Sequence, residues 1–334
     1  MAMASGMIPS HLSQSTALRV AQQAPLLLKT QESIFANLSL PLLSTPETSE
    51  LWLSYENLLL ACLRTGDDRS AHLCLQKLTK RFGATNEHVM GLRGIYQEAI
   101  AENQSALLEV LKEYEQTLSE NPVNMPVAKR RIALLRSLSR PADAIAALVK
   151  LLDASPTDAE AWCELSDLYV SQGFMAQAIF SIEEALLIVP NAWNIHARLG
   201  ELKFLSANAR DLEPLETRES LYNEAIRRFC RSIELCDDYI RGYYGLKLLG
   251  LQAASSLLEI KPPNGKKSPA SETRAEDELP LMSKETVIKL NELATSKLKQ
   301  IIQETASRGK LGEKAKAEII AAQELLDRDS EAAK

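Results

Sequence analysis

Residues Ala159–Pro190 read AEAWCELSDLYVSQGFMAQAIFSIEEALLIVP, and this stretch decides the fold. Trp162, Leu165 and Tyr169 stand at i, i+3 and i+7, so they share one face of a first helix. Gly173 follows where the chain must turn, a place that favours a residue able to adopt positive φ. Ala178, Ile182 and Ala185 line one face of a second helix, and the two small alanines allow the helices to approach closely. Pro190 ends the second helix, because proline has no amide donor and its ring clashes within a helix. These seven residues, Trp162, Leu165, Tyr169, Ala178, Ile182, Ala185 and Pro190, are the expected packing positions of a helical hairpin.

The same residue types return at a fixed distance. Pro122, Pro156 and Pro190 are spaced by 34 and 34. Ala144 and Ala178, Leu148 and Ile182, and Leu151 and Ala185 are each 34 apart as well. A helix–turn–helix unit with this period is the tetratricopeptide pattern. The expected fold class is therefore all-α, a tetratricopeptide-repeat superhelix, in which about six helical hairpins stack as an α-solenoid.

Outward from that core, the hairpins are expected to begin at Ser49. Trp52, Tyr55 and Leu59 open the first, Gly66-Asp67 turns it, and Ala71, Leu75 and Leu78 close it. A degenerate second unit spans Val89–Ala101 and then Val110, Tyr114 and Thr117. The third carries Ala128, Ile132 and Leu135, then Ala144, Leu148 and Leu151. The fifth starts at Trp193 with Leu199, Gly200 and Phe204, and continues with Ala225, Phe229 and Ser232. Ala178 to Ala225 is 47 residues, so about 13 extra residues are expected in the turn of this unit, as a loop on one face. A partial sixth unit covers 239–258.

The domain reading is a 1–48 tail with short capping helices, a repeat array over 49–260, a disordered Pro-, Ser- and charge-rich insert at 261–280, and a capping helix with a charged helical tail over 281–334. Within the tail, 1–11 reads as disordered, 12–24 as a short helix ending before Pro25, and 33–43 as a short helix and loop capping the first apolar face. The last helix, 309–327, reads as a solvated extension.

The chain has 334 residues, 46% of them hydrophobic and only 13 of them glycine, which favours a helical soluble protein. Net charge is −6, with 38 basic and 44 acidic residues, which argues against general nucleic-acid binding. Five cysteines without C-x-x-C spacing suit reduced thiols. No apolar run approaches the roughly 18–20 residues that span a bilayer, and the first 30 residues lack a signal-peptide pattern, so a cytosolic chain is expected. There is no phosphate-binding Gly loop, no G-x-S-x-G and no H-E-x-x-H, so neither an enzyme nor a cofactor or metal site is expected. The histidines, His11, His72, His88 and His196, are scattered. His196 falls 34 residues after Trp162 and reads as a packing residue; Cys163 reads as an inert thiol.

In such repeats the first helix of each pair lines the concave groove. By that geometry Lys129, Ala133 and Arg136, then Cys163, Asp167 and Val170, then Ala197, Glu201 and Phe204 are expected to face a partner. Lys129, Arg130 and Arg131 form a basic cluster, read either as a solvated face or as a contact for an acidic or C-terminal segment of a partner.

The runs NPVNMPVAKRRIALLRS (121–137) and PADAIAALVKLLDASPTDAEAWCELSDLYVSQGFMAQAIFSIEEALLIVPNAWNIHARLGELKF (141–204) resemble subunit 2 of the endoplasmic reticulum membrane protein complex, in a fungal-type form. The long fifth-unit turn and RGYYGL at 241–246 are similar too, and the likeness covers roughly 50–305. The resemblance implies a non-catalytic scaffold on the cytosolic face of the endoplasmic reticulum. Its partners would be the other subunits, chiefly cytosolic segments of the integral membrane ones, with no nucleic acid, no membrane span of its own and no small-molecule substrate. It would support insertion of transmembrane proteins, tail-anchored ones included. The alternative is a co-chaperone adaptor for acidic C-terminal tails of heat-shock proteins. Against it, the fourth unit offers Glu160, Glu164 and Asp167, which repel a carboxylate.

Overall fold

The computed structural model describes residues 14–28, 49–209, 215–257, 283–308 and 313–332. The expectations for 1–11, 33–43 and 261–280 lie outside the described residues. The chain divides into two compact units, residues 1–154 and 155–334. All the regular structure among the described residues is helical.

The first unit contains α1 (Gln14–Gln22), α2 (Ser49–Thr65), α3 (Asp68–Phe82), α4 (Glu87–Ile100), α5 (Gln104–Glu120), α6 (Met125–Ser137) and α7 (Pro141–Ala154). Helix α1 stops before Pro25, as its sequence requires, but residues 24–28 then form a further helical turn. Proline is tolerated there because a first-turn amide has no intrahelical partner. Ala17, Ala21, Ala24 and Leu28 pack with Tyr55, Leu58, Leu59, Ala71 and Leu78 in one buried cluster. The first hairpin is thus capped by residues 14–28.

The second unit contains α8 (Ala159–Ser171), α9 (Met175–Ile188), α10 (Trp193–Asn208), α11 (Leu215–Leu235), α12 (Ile240–Leu257), α13 (Lys284–Arg308) and α14 (Glu313–Ala332). Helices α6, α8 and α10 begin at 125, 159 and 193, and α7 and α9 at 141 and 175, so the 34-residue period holds to the residue. The period extends to the caps. Asn124 accepts from Val127 N, and Asp158, 34 residues on, from Ala161 N. Each such cap is worth about 1 kcal/mol. The third equivalent, Ala192, has no side chain to cap with. Gly173 has φ 79°, as the turn requires, and its equivalent one period earlier is Ser139 at φ 57°. Serine there is held in a left-handed conformation that glycine adopts freely.

The 13 additional residues of the fifth unit do not sit mainly in a loop. Helix α10 has 16 residues and α11 has 21, against 13 and 14 in α8 and α9, so the extra length extends both helices. Arg218 Nε donates to Ala207 O at 2.9 Å and Tyr222 Oη to Asn208 Oδ1 at 2.6 Å, which ties their extended ends together. Nor is the last helix a solvated extension: Ala322 is fully buried and Leu325 is 6% exposed.

Candidate functional site

The repeat-packing residues of the central hairpin divide into two groups. Leu165, Ala178, Ile182 and Ala185 are buried. Ser166 beside them donates its hydroxyl to Ala178 O at 2.8 Å, a close approach that only small residues permit. Trp162 and Tyr169 are half-buried against the Ile182–Leu199 cluster rather than fully enclosed, and Pro190 is exposed. The Trp162 indole Nε1 donates to Pro156 O at 2.9 Å and its ring meets Phe180 edge-on at 6.2 Å.

One period later His196 repeats that contact, with Nε2 2.9 Å from Pro190 O. A carbonyl only accepts, so Nε2 carries the proton and Nδ1 is the bare nitrogen. Nδ1 has no partner, and His196 is 6% exposed. Burial, together with Arg228 and Arg231 nearby, holds its pKa below the usual histidine value, although the Pro190 bond raises it. His196 is therefore a neutral packing residue that substitutes for a tryptophan.

The nine positions assigned to a partner face, and Arg130 of the basic cluster, have different surroundings. On α6, Lys129 and Arg136 are exposed and Ala133 is half-buried. Arg130 is half-buried and engaged within its own unit. Its guanidinium bonds Glu98 through Nη2, and through Nε at 3.1 Å, while the buried Tyr114 hydroxyl donates to the same carboxylate at 2.6 Å. Burial opposes the Arg130 charge, but the Glu98 bonds outweigh it and raise its pKa; burial and Glu98 push the Tyr114 phenol up as well. Gly94 makes room for this strut, since a Cβ there would lie 2.1 Å from Tyr114 Oη. Arg131 pairs with Glu115 at 3.2 Å. The basic cluster is thus divided: Lys129 lies outward, and Arg130 and Arg131 join α6 to α4 and α5.

In the second unit Asp167 and Glu201 are exposed and share one cation, Arg198, at 2.9 and 2.7 Å. Arg198 carries no signal in the sequence beyond lying 31 residues from Asp167. Among the neighbouring assignments, Ala197 needs correction. Ala197 is 5% exposed and belongs to the core formed with Ala225, Phe229 and Tyr243. Phe204 packs on that core and meets Tyr222 edge-on at 6.1 Å. Cys163 and Val170 pack on the Ile182–Leu199 cluster. Burial, then Asp167 and Glu160, push the Cys163 thiol up to about 11, so it is no nucleophile near neutral pH. Ala197 is buried, while Cys163, Val170 and Phe204 are half-buried against their cores. The exposed positions of the set are polar: Lys129 and Arg136 in one unit, Asp167 and Glu201 in the other.

Lys203 escaped the sequence reading. It is 7% exposed, and its Nζ lies 2.9 Å from Glu183 of α9 and 2.9 Å from Glu224 of α11. One cation therefore ties three helices together. Among the described residues no group of three or more His, Cys, Asp or Glu is placed to hold a metal ion, and no helix is long and apolar enough to cross a membrane.

Residues 89–209 match the family description "EMC2 TPR-like repeat domain". Over 211 residues the chain is 34% identical to the TPR repeat protein oca3 of Schizosaccharomyces pombe, covering 63% of this chain and 69% of that one. Over 207 residues it is 30% identical to ER membrane protein complex subunit 2 of Xenopus tropicalis, covering 62% of this chain and 65% of that one, just under two thirds of its length. Among solved structures, a tetratricopeptide repeat protein from Parabacteroides merdae is 17% identical, with a TM-score of 0.42, covering 81% of this chain and 98% of that one.

Proposed function

The chain belongs to the family of ER membrane protein complex subunit 2, and we propose that it is a scaffold subunit of that complex on the cytosolic face of the endoplasmic reticulum. In this reading it holds cytosolic segments of the integral membrane subunits and so supports insertion of transmembrane proteins, tail-anchored ones included. Attachment to the membrane runs through those partners. The observation that carries the proposal is the family likeness over 89–209, which spans the helices bearing Lys129, Arg136, Asp167, Arg198 and Glu201. Within each unit, those charged groups suit a polar segment of a partner.

Affinity purification of the tagged protein from detergent-solubilised membranes, followed by mass spectrometry, tests the proposal. Integral membrane proteins should co-purify in fixed ratio, and Lys129→Glu with Arg136→Glu should lower their recovery per folded molecule, with the melting temperature followed alongside. Recovery without membrane proteins contradicts the scaffold role. Titration with an acidic C-terminal peptide should give no binding; tight binding would instead favour the adaptor reading.

A further inference from the structure

Helix α12 has the sequence IRGYYGLKLLGLQAASSL, whose only charged residues are Arg241 and Lys247. Both reach α14. Arg241 Nε and Nη2 donate to Glu318 Oε1 at 2.9 and 2.8 Å. Lys247 Nζ donates to Asp329 Oδ2. Lys247 is 1% exposed, so Asp329 supplies the counter-charge for a cation held out of water, where an unpaired charge would be costly. The pairs rise together, 241 with 318 and 247 with 329, so α14 runs parallel to α12. Between the two carboxylates lie Ile319, Ala322 and Leu326, spaced for one helix face. All three join the core that holds Tyr243, Leu246 and Leu249. The opposite face of α14 is largely polar, apart from Ile320 at 57% exposure. Helix α14 carries six acidic and three basic residues, and α12 carries two basic and none acidic.

An apolar stripe framed by charges, laid against a complementary helix, is the helix-in-groove mode of recognition. Here groove and ligand belong to one chain. We propose that the Arg241–Lys247 face of α12 is a docking site for acidic amphipathic helices, and that α14 is its tethered occupant, displaced by a partner helix of the same chemistry. Such a partner has apolar residues at i, i+3 and i+7 between carboxylates about three helical turns apart. Because α14 is attached, its effective concentration is high, and an outside helix sees only the fraction of molecules in which the face is open. The proposal stands apart from the family role.

The test uses the full chain and a labelled peptide of sequence 313–332. In the wild-type chain, amides of α14 should exchange with solvent at least roughly tenfold faster than those of α12 and α13, since α14 opens alone. In the double variant Glu318→Arg and Asp329→Arg, like charges face Arg241 and Lys247 and repel the tethered helix. That variant should bind the peptide at least roughly tenfold more tightly than wild type does, and a peptide with Gln at both acidic positions should bind it more weakly. Exchange of α14 as slow as that of α12 and α13 would overturn the proposal. So would a folded double variant that binds the peptide no better than wild type. If the double variant does not fold, the wild-type exchange rates decide.

Discussion

Substitutions at Trp162 separate what its ring contributes as bulk from what its N–H contributes as a donor. A half-buried indole withdraws roughly 100 Å² from water, or about 2.5 kcal/mol at ~25 cal/mol per Å². The bond to Pro156 O adds about 1 kcal/mol, a modest value because Pro156 is exposed and water replaces the lost donor. The edge contact with Phe180 adds about 0.5–1 kcal/mol. Residual burial in the unfolded chain lowers the area term by roughly a quarter. Trp162→Ala should therefore cost about 3.5 kcal/mol, in the lower half of the about 3–5 kcal/mol expected for truncating a fully enclosed aromatic. Trp162→Phe keeps the bulk and loses the donor, at about 1 kcal/mol. Trp162→His copies the solution found at position 196, keeping the donor at a loss of area, at about 1–2 kcal/mol. Urea denaturation followed by far-ultraviolet circular dichroism measures all three, with an unchanged slope confirming comparable unfolding. An alanine variant within about 0.5 kcal/mol of wild type would refute the packing argument. A phenylalanine variant as damaging as alanine would refute the division between bulk and donor.

Lys203→Met keeps the aliphatic stem and removes the shared cation. Glu183 and Glu224 retain 40% and 33% side-chain exposure, so solvent relieves part of the loss. A decrease of about 1–2 kcal/mol is expected in thermal denaturation, smaller in high salt, and an unchanged melting temperature would contradict the tie between α9, α10 and α11. Ser139→Gly relieves a left-handed serine and should be neutral or stabilising by up to about 1 kcal/mol, despite the added freedom of the unfolded chain; destabilisation by as much would show that the serine is unstrained. His88 bonds Glu56 at 2.9 Å, and that bond raises its pKa above the usual value, with burial opposing. Its contribution to stability is fully present below the unfolded pKa and is lost as pH rises through the folded one. The stability difference between wild type and His88→Gln should shrink from pH 5.5 to pH 8, measured by denaturation at each pH; a difference that grows with pH would reverse the assignment.

The fold was legible because the period is written in residues that act locally. Pro122, Pro156 and Pro190 stop helices, Asn124 and Asp158 start them, and Gly66 and Gly173 turn them. Such signals need no knowledge of the neighbours. The candidate surface was only half legible, because facing depends on what the next helices cover. Cys163, Val170, Ala197 and Phe204 satisfied the offset rule for a first helix, yet each packs on a core. The ion pairs were invisible for the same reason. Arg130 with Glu98, Arg198 with Asp167 and Lys203 with Glu183 are separated by 32, 31 and 20 residues, and nothing in composition links them. Asp329, 82 residues beyond Lys247, reads from sequence as one more solvated acid. The extra residues of the fifth unit misled differently: polar composition suggested a loop, but both helices simply lengthen.

As a scaffold, this repeat chain would work as a bound subunit of a membrane complex rather than as a free protein. Sedimentation of a detergent extract from cells expressing the tagged chain at its natural level tests that directly. A single species several times heavier than the 36.9 kDa chain, co-sedimenting with integral membrane proteins, is expected. A chain that sediments alone near its own mass, with membrane proteins elsewhere in the gradient, would contradict it.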